Sequence, residues 1–131
     1  MKKLLSLVLL SLTLLGLSSC GEKVKTRDVP SELFSQSDIS SAMAVIEKEF
    51  KKGWRGCTLK EIYYAGDELT RKFADYPARY DADEVIVLLS SFHVDSSGRS
   101  PSLNPDFTYN DWNWILVRNE GEAWRHVDHG Y

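Results

Sequence analysis

The chain has 131 residues, 43% hydrophobic and 27% charged, which is enough for one domain with a modest core. With 19 acidic against 16 basic residues its formal net charge is −3, a poor electrostatic match for nucleic acid or for anionic headgroups.

Met1-Lys2-Lys3 is a short basic start. Leu4 to Leu15 is an apolar run broken only by Ser6, Ser11 and Thr13, and Leu17-Ser18-Ser19-Cys20 then places small residues ahead of a cysteine. The run is too short for a comfortable membrane span of about 20 residues. The order of these parts resembles the bacterial lipoprotein signal, whose lipobox ends in a lipidated cysteine, and Leu17, Ser18, Ser19 and Cys20 match it position by position. The resemblance implies a signal peptide over residues 1–19, cleavage before Cys20, and diacylglycerol on the Cys20 sulfur. It also implies a protein anchored to the cell membrane on its extracytoplasmic face, with that membrane as a partner. Removal of Lys2 and Lys3 leaves the remainder more acidic still. With Cys20 lipidated, Cys57 has no intrachain partner, so a disulfide-stapled scaffold is excluded and Cys57 reads as a small core residue.

Residues 20–36 read as the lipidated cysteine and a flexible tether, because Lys23, Lys25, Arg27, Asp28 and Pro30 give polarity without periodicity. Residues 37–131 then form one domain. A helix is expected from Asp38 to Lys52, capped by Ser35 or Ser37. Ile39, Ala42, Met43, Ile46 and Phe50 lie on one stripe, Lys51 and Lys52 sit at the negative end of the dipole, and Gly53 is the stop. Cys57 to Tyr64 is β-branched and aromatic enough for a strand. Asp67 to Tyr76 reads as a short helix ended by Pro77, or alternatively as an edge strand. Glu84 to Val94, with Val85-Ile86-Val87-Leu88-Leu89, reads as a central strand covered on both faces. A loop over Asp95–Asn110 follows, then strands Trp112–Arg118 and Glu122–Asp128 joined by Asn119-Glu120-Gly121.

This order predicts an α+β fold, with an N-terminal helix packed on a curved antiparallel sheet of about four strands. It looks like the cystatin-like or nuclear-transport-factor-2-like cone. Ala82-Asp83-Glu84-Val85-Ile86-Val87-Leu88, Val94-Asp95-Ser96-Ser97-Gly98, Ser102-Leu103-Asn104-Pro105, Tyr109 to Arg118, and the Trp124 to Tyr131 end also resemble a group of small bacterial lipoproteins of unknown function. That resemblance bears on fold and location and implies no chemistry.

His93, His126 and His129 are the three histidines. On a regular strand His126 and His129 point to opposite faces, while His126 and Asp128 share one, so neither zinc nor a ready acid–base dyad is expected. His93 to Gly98 partly echoes a calcium loop, but His93 and Asn104 stand where carboxylates are wanted, and turn chemistry is the simpler reading. No nucleophile elbow or phosphate loop occurs, no cofactor is expected, and Asp81, Asp83 and Glu84 read as a solvated edge. The tryptophans are more informative. Pairing residue 118 with 122 sets Leu116 opposite Trp124, Trp114 opposite His126 and Trp112 opposite Asp128. Trp112, Trp114, Trp124, His126 and Asp128 then form one aromatic face with polar groups at one end, which serves either as core against the helix or as a ligand cleft. The expected function is a non-catalytic, lipid-anchored binding module for a protein or small-molecule ligand. The alternative is a small enzyme using a pocket near His126, Asp128 and Tyr131.

Overall fold

A computed structural model describes residues 23–131. The signal segment and Cys20 lie outside the described residues. The fold is α+β, a helix on a four-stranded open antiparallel sheet of order β1-β2-β3-β4.

Helix α1 spans Gln36–Gly53. Ser35 caps it: its hydroxyl accepts from the Asp38 N–H, and the Asp38 carboxylate accepts from the Ser35 N–H in a capping box. Ile39, Ala42, Ile46 and Phe50 are its buried stripe. Strands β1 (Cys57–Tyr64) and β2 (Glu84–Val94) form where alternation and β-branching place them. Between them the expected single helix is two short ones, α2 (Asp67–Arg71) and α3 (Tyr76–Arg79). Pro77 starts α3 rather than ending a helix, because a first-turn residue has no need of its N–H.

Strand β3 runs from Phe107 to Arg118 and so takes up the end of the expected 95–110 loop; β4 is Arg125–Gly130, later than expected. The stretch read as a tether is held against the fold from residue 23 onward. The Lys25 N–H donates to the Lys60 carbonyl, the Ile62 N–H donates to the Lys25 carbonyl, and Val24, Val29 and Phe34 pack on the core. Those three apolar side chains, five residues apart, are the reason a polar segment docks.

The sheet buries both faces. Toward α1 lie Leu59, Ile62, Tyr64, Ile86, Leu88, Phe92, Trp112, Trp114 and Leu116; on the reverse, Val85, Val87, Ile115 and Val117 are covered by Leu69, Phe73, Tyr76 and Tyr80. Arg118 ties the helix to the sheet. Its guanidinium donates to Glu84 at 2.6 Å and to Asp38 at 3.0 Å while lying 4.1 Å from the centre of the Trp124 ring. That bond from Arg118 holds the Asp38 carboxyl below its ordinary range.

Three irregularities decide which side chains share a face. One extra residue interrupts β1 between Leu59 and Glu61, another interrupts β3 between Tyr109 and Trp112, and a third interrupts β4 between His126 and Asp128. Each is a bulge that resets the alternation beyond it. The second includes Asp111, whose φ of 54° is left-handed, and it brings Tyr109 and Trp112 to the same face.

Candidate functional site

A longer connection before β4 and the β4 bulge together overturn the expected pairing. Val117 pairs with Arg125 and Leu116 with His126; Val127 is then skipped, so Ile115 pairs with Asp128 and Trp114 with His129. His126 and His129, expected on opposite faces, are together on the α1 side with Nε2 of His126 3.2 Å from Nδ1 of His129. Asp128, expected beside them, turns to the reverse face, where its carboxylate accepts from the Tyr76 hydroxyl at 2.8 Å. Only its backbone carbonyl reaches His126, 3.1 Å from Nε2. Tyr131 is 78% exposed and rests its ring edge on Trp112. His126, Asp128 and Tyr131 therefore do not converge.

The three tryptophans of the predicted face are mostly core. Trp114 is fully buried, and its indole N–H donates to the buried Ser90 hydroxyl at 2.7 Å. Trp124 is buried under Phe34 and donates to the Asp38 carbonyl at 3.2 Å. Trp112 is buried too, but its Nε1–H has no acceptor among the described residues. An unmet buried donor of this kind costs about 1–3 kcal/mol.

Two residues not foreseen complete the site. Trp54, just past the end of α1, stacks on Phe50 and sets its edge against Trp112, Trp114 and His129 at 5.0–6.3 Å. Glu49, on α1, accepts from Nδ1–H of His126 at 2.5 Å. The result is a hydrogen-bonded chain from Glu49 through His126 to His129, laid over indole rings. Its signal in the sequence is weak: Glu49 reads as one more polar helix residue, and its partner is 77 residues away. His129 is held below its ordinary pKa, first by desolvation and then by His126, so it carries less charge than a free histidine at the same pH.

The chain ends at a cleft of about 560 Å³ walled by Trp54, Trp112 and His129 on one side and by Arg99, Ser100 and Leu103 on the other. The loop forming the second wall is fixed by turn chemistry at the place where a calcium loop was weighed. Asp95 accepts from the N–H and hydroxyl of Ser97 and from Arg99, and is thereby lowered to about 2. Gly56 allows this, because a Cβ there would lie 2.9 Å from the Asp95 carboxylate. Among the described residues, no group of three or more His, Cys, Asp or Glu side chains is placed to hold a metal ion. Cys57 is half-buried and packs against the edge of the core, with its sulfur 3.6 Å from the Ser100 hydroxyl.

No family model matches the chain, and no curated protein or solved structure is significantly similar to it. No helix among the described residues is long and apolar enough to cross a membrane.

Proposed function

We propose that this chain is a lipid-anchored binding module on the extracytoplasmic face of the cell membrane, built on a cystatin-like or nuclear-transport-factor-2-like cone, with its ligand in the cleft beside Trp54, Trp112 and His129. The observation that carries the reading is the unmet indole N–H of Trp112 behind that cleft. A ligand with a flat apolar face would cover the indoles, and its hydrogen-bond acceptor would meet the donor once the Trp112 ring turns toward the cleft. The test is a thermal-shift screen of small envelope metabolites on the full chain. A genuine ligand should lose about tenfold in affinity in Trp112→Phe, which keeps an aromatic ring and removes the donor. Binding unaffected by both Trp112→Phe and Trp54→Ala would place the ligand elsewhere and refute the reading. The anchor is tested separately: fatty-acid labelling should mark the protein and vanish in Cys20→Ala.

The Glu49–His126–His129 chain favours a second reading, an enzyme in which His129 takes a proton from a substrate in the same cleft while Glu49 orients His126. A turnover that is lost in His129→Gln with the fold retained would select it. Turnover that survives both His129→Gln and Glu49→Gln would remove it.

A further inference from the structure

Away from the cleft, on the sheet face turned from α1, lies a groove of about 500 Å³ lined by Lys23, Lys25, Lys60, Ser91, Thr108 and Asn110. Ser91, Thr108 and Asn110 flank core residues Ser90, Phe92 and Tyr109 in sequence, which is why they face outward. Glu61, also in the lining, has its carboxylate occupied by a two-point pair with Arg27, and the Arg27 guanidinium lies over the Tyr63 ring. The nearby Asp111 accepts from the Tyr63 hydroxyl. The ammonium groups of Lys23 and Lys25 are what the groove presents, with Lys60 in its lining. We propose that this groove is the surface by which the domain lies against an anionic bilayer, the lysines meeting headgroup phosphates. The inference rests on the reading of Cys20 as the lipid anchor.

Two observations carry it. The first is the leash. Lys25 is fixed to β1 by two backbone hydrogen bonds, and it stands five residues after Cys20. At about 3.5 Å per residue, the anchor lies within roughly 17 Å of a residue that lines the groove. The domain is thus held close to the bilayer at this edge. The second is charge. On a chain of net −3, the whole molecule is repelled by an anionic surface, but its local basic groove is attracted, so the two effects turn the same face inward. A second set of lysines, Lys48, Lys51 and Lys52, lies on α1, on the other side of the sheet. The leash selects between the two.

The experiment uses the full chain recovered from membranes and placed in lipid nanodiscs of phosphatidylcholine alone or with phosphatidylglycerol. A water-soluble amine reagent labels the lysines, and mass spectrometry reads each site and the lipid on Cys20. Lys23 and Lys25 should label about fivefold more slowly on the phosphatidylglycerol discs. The difference should close at about 0.5 M salt, and Lys48, Lys51 and Lys52 should not change. Equal labelling on both discs with Cys20 acylated overturns this inference and leaves the anchor standing. A chain without lipid on Cys20 overturns the anchor reading instead. The groove is then read on that chain with phosphatidylglycerol vesicles at low salt, where unslowed labelling removes it. Protection that follows protein concentration rather than lipid composition assigns the face to a second copy and also overturns the proposal.

Discussion

Ser90→Ala isolates one bond in the dry centre of the sheet. Ser90 and Trp114 are both fully buried, and the Ser90 hydroxyl is the acceptor for the Trp114 indole N–H at 2.7 Å. Phe50, Trp54, His126 and His129 pack around that indole with ring centres 5.0–6.2 Å away, so it has no room to turn toward water. Removing one hydroxyl oxygen creates little cavity but leaves a buried donor unmet, at about 1–3 kcal/mol. In a domain of this size the melting temperature should fall on the order of 5–20 °C. Trp114→Phe alone adds lost ring contact, but the double variant Ser90→Ala/Trp114→Phe removes both partners together. Its destabilisation should therefore be smaller than the sum of the single changes, by about 0.5–1.5 kcal/mol. Urea unfolding followed by far-UV circular dichroism measures all four corners of the cycle. A Ser90→Ala protein as stable as the parent, or strictly additive single changes, would refute the account.

Val87→Asp places a charge among Ile115, Val117 and Phe73 at a fully buried position and should cost several kcal/mol, seen as an insoluble or unfolded chain; a soluble variant with the parent melting temperature would contradict the burial. Asp67 is lowered to about 2, first by the Ser31 hydroxyl and then by Tyr64. Its contribution is present above an unfolded value near 4 and is lost as pH falls through about 2, so Asp67→Asn should flatten the acid limb of stability between those values. Tm measured across that range decides the point, and an unchanged slope would count against it. His129 is depressed, so the unfolded chain binds its proton first as pH falls below about 6.5, and stability should decline there. His129→Gln should remove that part of the decline in pH-dependent melting, while an identical profile would show that His129 does not contribute.

Much of the fold was legible because periodicity and capping agree. The Ile39, Ala42, Ile46 and Phe50 stripe with Ser35 ahead of it marks α1, and β1 and β2 form at the expected residues. The site was not, and the reason is local. A bulge adds one residue to a strand without any composition signal, so Val127 looks like one more alternating position although it reverses which face His129 takes. The connection before β4 is also longer than the glycine-centred hairpin suggested, which moves every cross-strand partner. Trp54 lies outside any periodic element, and nothing before folding sets it against residues 112–129. An acidic total also conceals the lysines gathered at one edge.

The grip of Arg118 and Trp124 on the start of α1 has a consequence for how the molecule comes into being. Those bonds join residues 80 and 86 positions apart, so the helix meets its final partners only when nearly the whole chain is present. A polypeptide emerging amino end first, from a ribosome or through an export channel, exposes the Ile39–Phe50 stripe long before Trp114, Leu116 and Trp124 arrive to cover it. Folding is therefore a late, all-at-once event governed by non-local closure, and truncation by even the last strand should leave a chain with an uncovered apolar helix rather than a smaller native domain.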